Sequence, residues 1–438
     1  MKGKIRKSLK ASFWDGAFAA GMVGITESYV IPYALALRAQ ASQIGILASV
    51  PNLIMALANS QINKLTRWIG SRKKVVLIVV LIQAIALTFM SFLPMVENRY
   101  QIISLIILTS IATTFGGLAS APWGSLMCEY LPLSKRSGYF GWRSRVLGMI
   151  IIASSLLAGG VLQYCGRSVL AGFAILFALA ATFRLFSWFS LRKMFEPVSA
   201  TIKVQPAISE TNLSPTGTNF NAFLLFTGAM SFGVNLSAPM IHVYMLKTLH
   251  YSYLTYTIAL VASTSTTYFM MAPWGRHADH AGNLKIIRMG SAFIQLIPFL
   301  WLVSGHPVYI VAIQLVSGVA WSGYNLCVST YIFDSVSQTE RVRQTARFNM
   351  MNGVCVCLGA GIGTSVMPFL PFLKGTQFMS LLILSGLARM GAVNLLLPKI
   401  KEVRKVTHVE SMDLFNSVIG LRPLPGVARD TNVDIRLS

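Results

Sequence analysis

Charge is what this chain has least of. Only 12% of its 438 residues are charged and 54% are hydrophobic, whereas a soluble globular protein carries about 25% charged residues. That excludes an ordinary soluble domain. Cysteine is sparse as well: Cys128, Cys327, Cys355 and Cys357 lie inside apolar runs, and only Cys165 falls in a loop between them, which argues against a disulfide framework. Cys355 and Cys357 stand two apart on an expected helix and face different ways, so they do not form a metal pair. The sequence also lacks a G-x-x-x-x-G-K-S/T loop for nucleotide, a His and Cys cluster for metal, and any His or Asp at plausible spacing from Ser154 and Ser155. No catalytic constellation, cofactor or self-sufficient ATP pump is expected.

What the chain does have is long apolar runs. A helix crosses a bilayer with about 20 mainly apolar residues, and roughly twelve such runs follow one another here, too continuous for the alternation of a membrane barrel. They cover 12–36, 42–62, 75–95, 101–128, 139–164 and 168–191, then 219–246, 253–274, 284–304, 307–333, 345–371 and 375–397. The fold class is therefore an all-α polytopic membrane protein. The first run is too long for a signal peptide and contains Asp15 and Glu27. Residues 193–218 are polar and rich in Ser, Thr and Pro, a linker by composition. The expected organisation is a six-helix bundle over 1–192, a cytoplasmic linker over 193–218, a second six-helix bundle over 219–398 and a cytoplasmic tail over 399–438. Within the tail, 412–421 reads either as a short amphipathic helix on the membrane surface or as a disordered end.

A net charge of +23 raises the question of a nucleic-acid partner, which the placement of the charge answers in the negative. The basic residues gather in every second loop: Lys2, Lys4, Arg6, Lys7 and Lys10, then Lys64, Arg67, Arg72, Lys73 and Lys74, then Lys135, Arg136, Arg143 and Arg145. Opposite them stand only Arg38, Arg99, Arg167, Lys247 and Lys374. By the positive-inside rule both termini face the cytoplasm.

The two halves echo each other. Asp15-Gly16-Ala17 and Gly21 line up with Thr227-Gly228-Ala229 and Gly233, at the offset that relates Gly70 to Gly282; Glu129, Arg136 and Gly148 line up with Asp334, Arg341 and Gly353. Between the eighth and ninth runs lies W-G-R-H-A-D-H-A-G-N-L-K over 274–285. Through Gly275, Asp279, Gly282 and Lys285 it resembles the cytoplasmic loop signature of the major facilitator superfamily, G-x-x-x-D-x-x-G-x-x-K/R. A degenerate copy, N-K-L-T-R-W-I-G-S-R-K-K over 63–74, keeps Gly70 and has Arg67 where the second copy has Asp279. The resemblance covers about 12–398 and implies twelve transmembrane helices in two pseudo-symmetric six-helix bundles that work by alternating access. It also implies that Asp279 lies near Arg143 or Arg145, which with Gly70, Gly275 and Gly282 would form a cytoplasmic gate.

Glu27 is the sharpest single residue. It lies about 15 residues into the first run, roughly 22 Å along a helix, where an ionised carboxylate costs several kcal/mol unless paired, protonated or wet. It reads as a proton-coupling or substrate carboxylate, or else as one that snorkels to the headgroups or joins two helices. The resemblance places the first, fourth, seventh and tenth spans around a central cavity, which makes Trp123, Asn235, Gln314, Trp321, Tyr324 and Asn325 candidates for its lining; each also serves as an ordinary helix contact. Arg184 and Arg389 read as snorkelling residues, and His242 as an interfacial histidine. The fifth span keeps only Gly159 and Gly160 of the glycine-rich signature of many drug and proton antiporters. The expectation is a monomeric secondary transporter in a bacterial inner membrane, carrying a small organic solute with protons and surrounded by lipid. The alternatives are multidrug efflux, or a non-transporting receptor or lipid-handling protein on the same fold.

Overall fold

The computed structural model describes residues 2–130, 133–166, 168–196, 216–336, 340–403 and 411–418. They are almost entirely helical: α1 Lys2–Thr26, α2 Val30–Ala36, α3 Ala41–Ser60, α4 Ile62–Ile69, α5 Arg72–Ser91, α6 Asn98–Leu118, α7 Ser120–Tyr130, α8 Leu133–Tyr164, α9 Val169–Arg192, α10 Thr216–Val243, α11 Tyr253–Ala281, α12 Asn283–Leu300, α13 Pro307–Ser335, α14 Arg341–Val366, α15 Gln377–Gly391 and α16 Ser411–Val418. Long helices stand at every expected span. Among the described residues, nine are both long and apolar enough to cross a membrane. The first, eighth and ninth fall short of that measure for a visible reason. The apolar part of α1 is rich in alanine and glycine and holds Lys10 and Asp15, α11 carries the S-T-S-T-T run at 263–267 in its middle, and Lys285 and Arg288 lie in α12.

Two of the expected spans are interrupted. The first breaks at Glu27–Tyr29, between α1 and α2, and the fourth at Ala119, between α6 and α7. Proline chemistry accounts for the first break. Pro32 sits in the opening turn of α2 and has no N–H to offer the carbonyl four residues back. That carbonyl, Ser28 O, instead accepts the Tyr256 hydroxyl at 2.6 Å.

The chain forms two compact units. One gathers the described residues of 1–212, 238–257 and 356–368; the other those of 213–237, 258–355 and 369–438. In the first, α1 packs on α8 and α9, and α5 on α6 and α9. In the second, α12 packs on α13 and α15. Small residues permit these approaches: a Cβ at Gly386 would strike the ring of Phe299, and one at Gly323 the indole of Trp274.

The internal echo extends to tertiary detail within each unit. Gly70 and Gly282 both have positive φ, 72° and 87°, and both close a helix by donating N–H to the residue four back, Thr66 and Ala278, at 3.0 Å. The helix that follows is then held at its N-terminus by acids. In the first unit the Glu196 carboxylate accepts Arg72 N–H at 2.9 Å and Ser71 Oγ–H at 2.5 Å, while Glu129 pairs with the Arg72 guanidinium at 2.7 Å. In the second, Glu402 accepts Leu284 N–H at 2.7 Å, and Asp334 accepts the Asn283 amide at 2.6 Å. A tyrosine braces the strap that brings each glutamate in: Tyr130 donates to Phe195 O, and Tyr331 to Lys401 O. Acids at helix N-termini satisfy orphan N–H groups and oppose the positive end of the helix dipole. The same device at both places is what a duplicated six-helix ancestor leaves behind.

In the tail, the described residues form a short helix, α16, in which Leu414 and Val418 are buried, and Ser417 bonds His277 Nε2 at 2.8 Å. His277 Nδ1 faces Pro273 O at 2.7 Å. Burial pushes the pKa of this imidazole down, so the neutral ring donates through Nδ1–H and accepts the Ser417 hydroxyl on Nε2.

Candidate functional site

Glu27 occupies the break between α1 and α2, and its side chain is exposed and makes no hydrogen bond or ion pair with the described residues. The residues after it are held firmly. Tyr29 is fully buried, donates to Ser155 O at 2.8 Å and shares a 2.5 Å bond with Thr257 Oγ1. Tyr256, which donates to Ser28 O, lies 2.8 Å from His242 Nδ1, so His242 is half-buried and bonded to a partner. The carboxylate therefore projects from a fixed, locally unwound backbone. Unwound segments in membrane helices persist where they line a cavity or are buried in protein.

A second group lies lower on α1, and sequence reasoning missed it. Asp15 is only 6% exposed and Arg184 likewise 6%, so Arg184 does not snorkel. Ser187 Oγ donates to Asp15 Oδ1 at 2.7 Å, and Arg184 Nη1 donates to Ser187 Oγ at 3.2 Å. The hydroxyl thus relays between acid and base, which come no closer than the 4 Å limit of a direct ion pair. Arg143 completes the group from α8. Its Nη2 donates to Ser12 O at 3.3 Å, its guanidinium lies 4.5 Å from the centre of the Trp123 ring, and a Cβ at Gly16 would collide with it. Asp15 feels the field of both arginines. The signal was present in the sequence as Asp15-Gly16, an acid beside a residue with no side chain.

In the second unit the candidates divide. Trp321 and Tyr324 meet edge to face at 5.5 Å, and Tyr324 also meets Phe226 at 6.5 Å. Gln314 is buried and Asn325 exposed on the same helix. Asn235 spends its amide on its own helix, donating to Ser231 O at 2.8 Å. Arg389, also expected to snorkel, is 4% exposed. It donates to Ile294 O at 3.1 Å and to Ser237 Oγ at 3.5 Å. Arg184 and Arg389 stand at the offset that relates Glu129 to Asp334, so the buried guanidinium is itself a repeated feature. Its acid is not: Thr227 stands where the first half has Asp15.

Of the gate residues, Gly70 and Gly282 form the helix-closing turns described above. Gly275 lies on α11 with Leu326 as its neighbour, and Arg145 is exposed on α8. The Asp279 side chain lies outside the described residues.

The family model described as Major Facilitator Superfamily matches residues 16–360. No curated protein sequence matches the chain. Among solved structures, the chain is similar to the nucleoside transporter NupG, at 14% identity over 90% of this chain and 98% of that one with a TM-score of 0.63. It is similar to a bacterial homologue of the iron transporter ferroportin in an inward-facing state, at 13% identity, 90% and 98% coverage and a TM-score of 0.67. It is also similar to the xylose transporter XylE from E. coli in a partially occluded inward-open conformation, at 11% identity, 93% and 100% coverage and a TM-score of 0.64. At these identities the likeness establishes the fold.

Proposed function

Because the chain belongs to the major facilitator superfamily, a family of membrane transporters and not of enzymes, we propose that it moves a small organic solute by proton-coupled alternating access. The observation that carries the coupling is Glu27, an exposed carboxylate without a partner among the described residues, set at a break in the first span. A carboxylate that meets water in one state and is enclosed in another takes up and gives off a proton as it moves between them. The moving parts are the two six-helix bundles, 1–192 and 219–398, joined by the linker 193–218. The protein works as a monomer in a bacterial inner membrane.

The uneven distribution of lysine and arginine supports the orientation, with both termini cytoplasmic. Cysteines placed singly at Arg99 and Lys374 are expected to react with an impermeant maleimide in intact cells, and those at Arg72 and Lys203 only after lysis. Labelling of Lys203→Cys in intact cells would reverse the orientation.

Transport itself is tested by offering proteoliposomes a mixture of cellular metabolites under an imposed pH gradient and analysing their contents by mass spectrometry. At least one small solute is expected to accumulate inside, and to lose its accumulation when a protonophore collapses the gradient. A mixture from which nothing enters above the level of empty liposomes would remove the reading.

A further inference from the structure

Asp15, Arg143 and Arg184 leave one more cation than anion in a small volume of the first unit. Among the described residues no second acid balances the surplus: the other neighbours include Ser12 O, the Ser187 hydroxyl, the Trp123 ring and the Tyr139 phenol. The donors are in excess too. Arg143 Nε and Arg184 Nε are both buried atoms with no hydrogen-bond partner among the described residues, and Arg184 as a whole is 6% exposed. A buried guanidinium is normally satisfied along its fork, and two Nε groups without acceptors near one carboxylate describe a place where acceptor atoms belong.

We propose that this group is a receptor for a monoanion, either a carboxylate or a small inorganic anion, held by Arg143 beside Trp123. The valence follows from the count of charges. One negative charge neutralises the site, and a second would face Asp15. The location follows from access. Arg184 and Asp15 lie deep, whereas Arg143 and Trp123 are half-buried, and at Gly124, next to Trp123, no atom lies within 4 Å of where a Cβ would be. The Nε and Nη edge of a guanidinium matches the two oxygens of a carboxylate. Gly16 is part of the device, because any side chain there would push the guanidinium from its seat. Among the described residues, the acid and the arginine over an aromatic ring have no counterpart in the group around Arg389, so the receptor belongs to one half only.

When the anion is the carboxylate of the carried solute, the proposal rests on the transport reading; binding itself does not, and the test needs no transport. The full-length protein in detergent is melted in buffer free of small anions, then with increasing acetate, and separately with increasing chloride. The wild type is expected to gain a few degrees in melting temperature, saturating with concentration, from at least one of the two. Saturation by acetate alone identifies a carboxylate group as the ligand, and saturation by chloride identifies an inorganic anion. Arg143→Gln and Gly16→Ala are expected to lose the saturable shift, the second while keeping every charge, and Lys64→Gln, far out on α4, to retain it. No saturable shift in the wild type, or an equal one in a folded Arg143→Gln or Gly16→Ala protein, would overturn the proposal and leave the transport reading standing.

Discussion

Glu27→Gln is expected to abolish accumulation driven by a pH gradient while leaving exchange of solute down its own gradient. The substitution keeps the shape of the side chain and holds it uncharged, so it removes only the change of protonation. A gradient of one pH unit stores about 1.4 kcal/mol per proton, enough for about tenfold accumulation when one proton moves with one solute. The variant should therefore fall from about tenfold to none, and it should fold normally, because the side chain is exposed and its neighbours Tyr29, Ser155 and Thr257 hold the break without it. Uptake into proteoliposomes with and without the gradient reads both quantities. Undiminished accumulation by Glu27→Gln would take this residue out of the coupling.

Asp15→Asn is expected to act on stability. The carboxylate is 6% exposed and opposes two arginines, one of them through Ser187. Removing one partner of a buried charge group leaves the others uncompensated, typically at a cost of about 3 to 5 kcal/mol. The relay through a hydroxyl makes this pairing looser than a direct one, so about 3 kcal/mol is expected here. The corresponding fall in melting temperature is measured on purified protein. The double replacement Asp15→Leu with Arg184→Leu should recover most of the loss, because it removes charges together and replaces them with apolar volume. If Asp15→Asn melts with the wild type, the group contributes nothing to stability.

The helices were legible because bilayer length and continuous apolarity leave little choice. The loop glycines were legible too, since the sequence motif and the positive φ of Gly70 and Gly282 express one requirement, a residue without Cβ where a helix must stop. The break at Glu27–Tyr29 was not, because Ile25 to Ala39 is apolar enough to read as uninterrupted helix, and only Pro32 hinted that Ser28 O would need another donor. Arg184 and Arg389 were misjudged for a related reason. Position along a span says how far a guanidinium lies from the headgroups, but not whether its helix face turns inward. Ser187 and Ser237, which receive these two arginines, are common residues with no motif around them. The strap that ends in Glu196 or Glu402 was likewise invisible, because a glutamate after a span reads as loop until the N-terminus it caps is known.

Coupled movement of solute and proton is tested most directly by the pH inside the vesicle. Proteoliposomes loaded with a pH-sensitive dye, with no gradient at the start, are given the solute identified by the uptake screen. Solute entry is expected to acidify the interior with the wild type and to leave it unchanged with Glu27→Gln. Solute entry through the wild type with no change in internal pH would contradict the coupling.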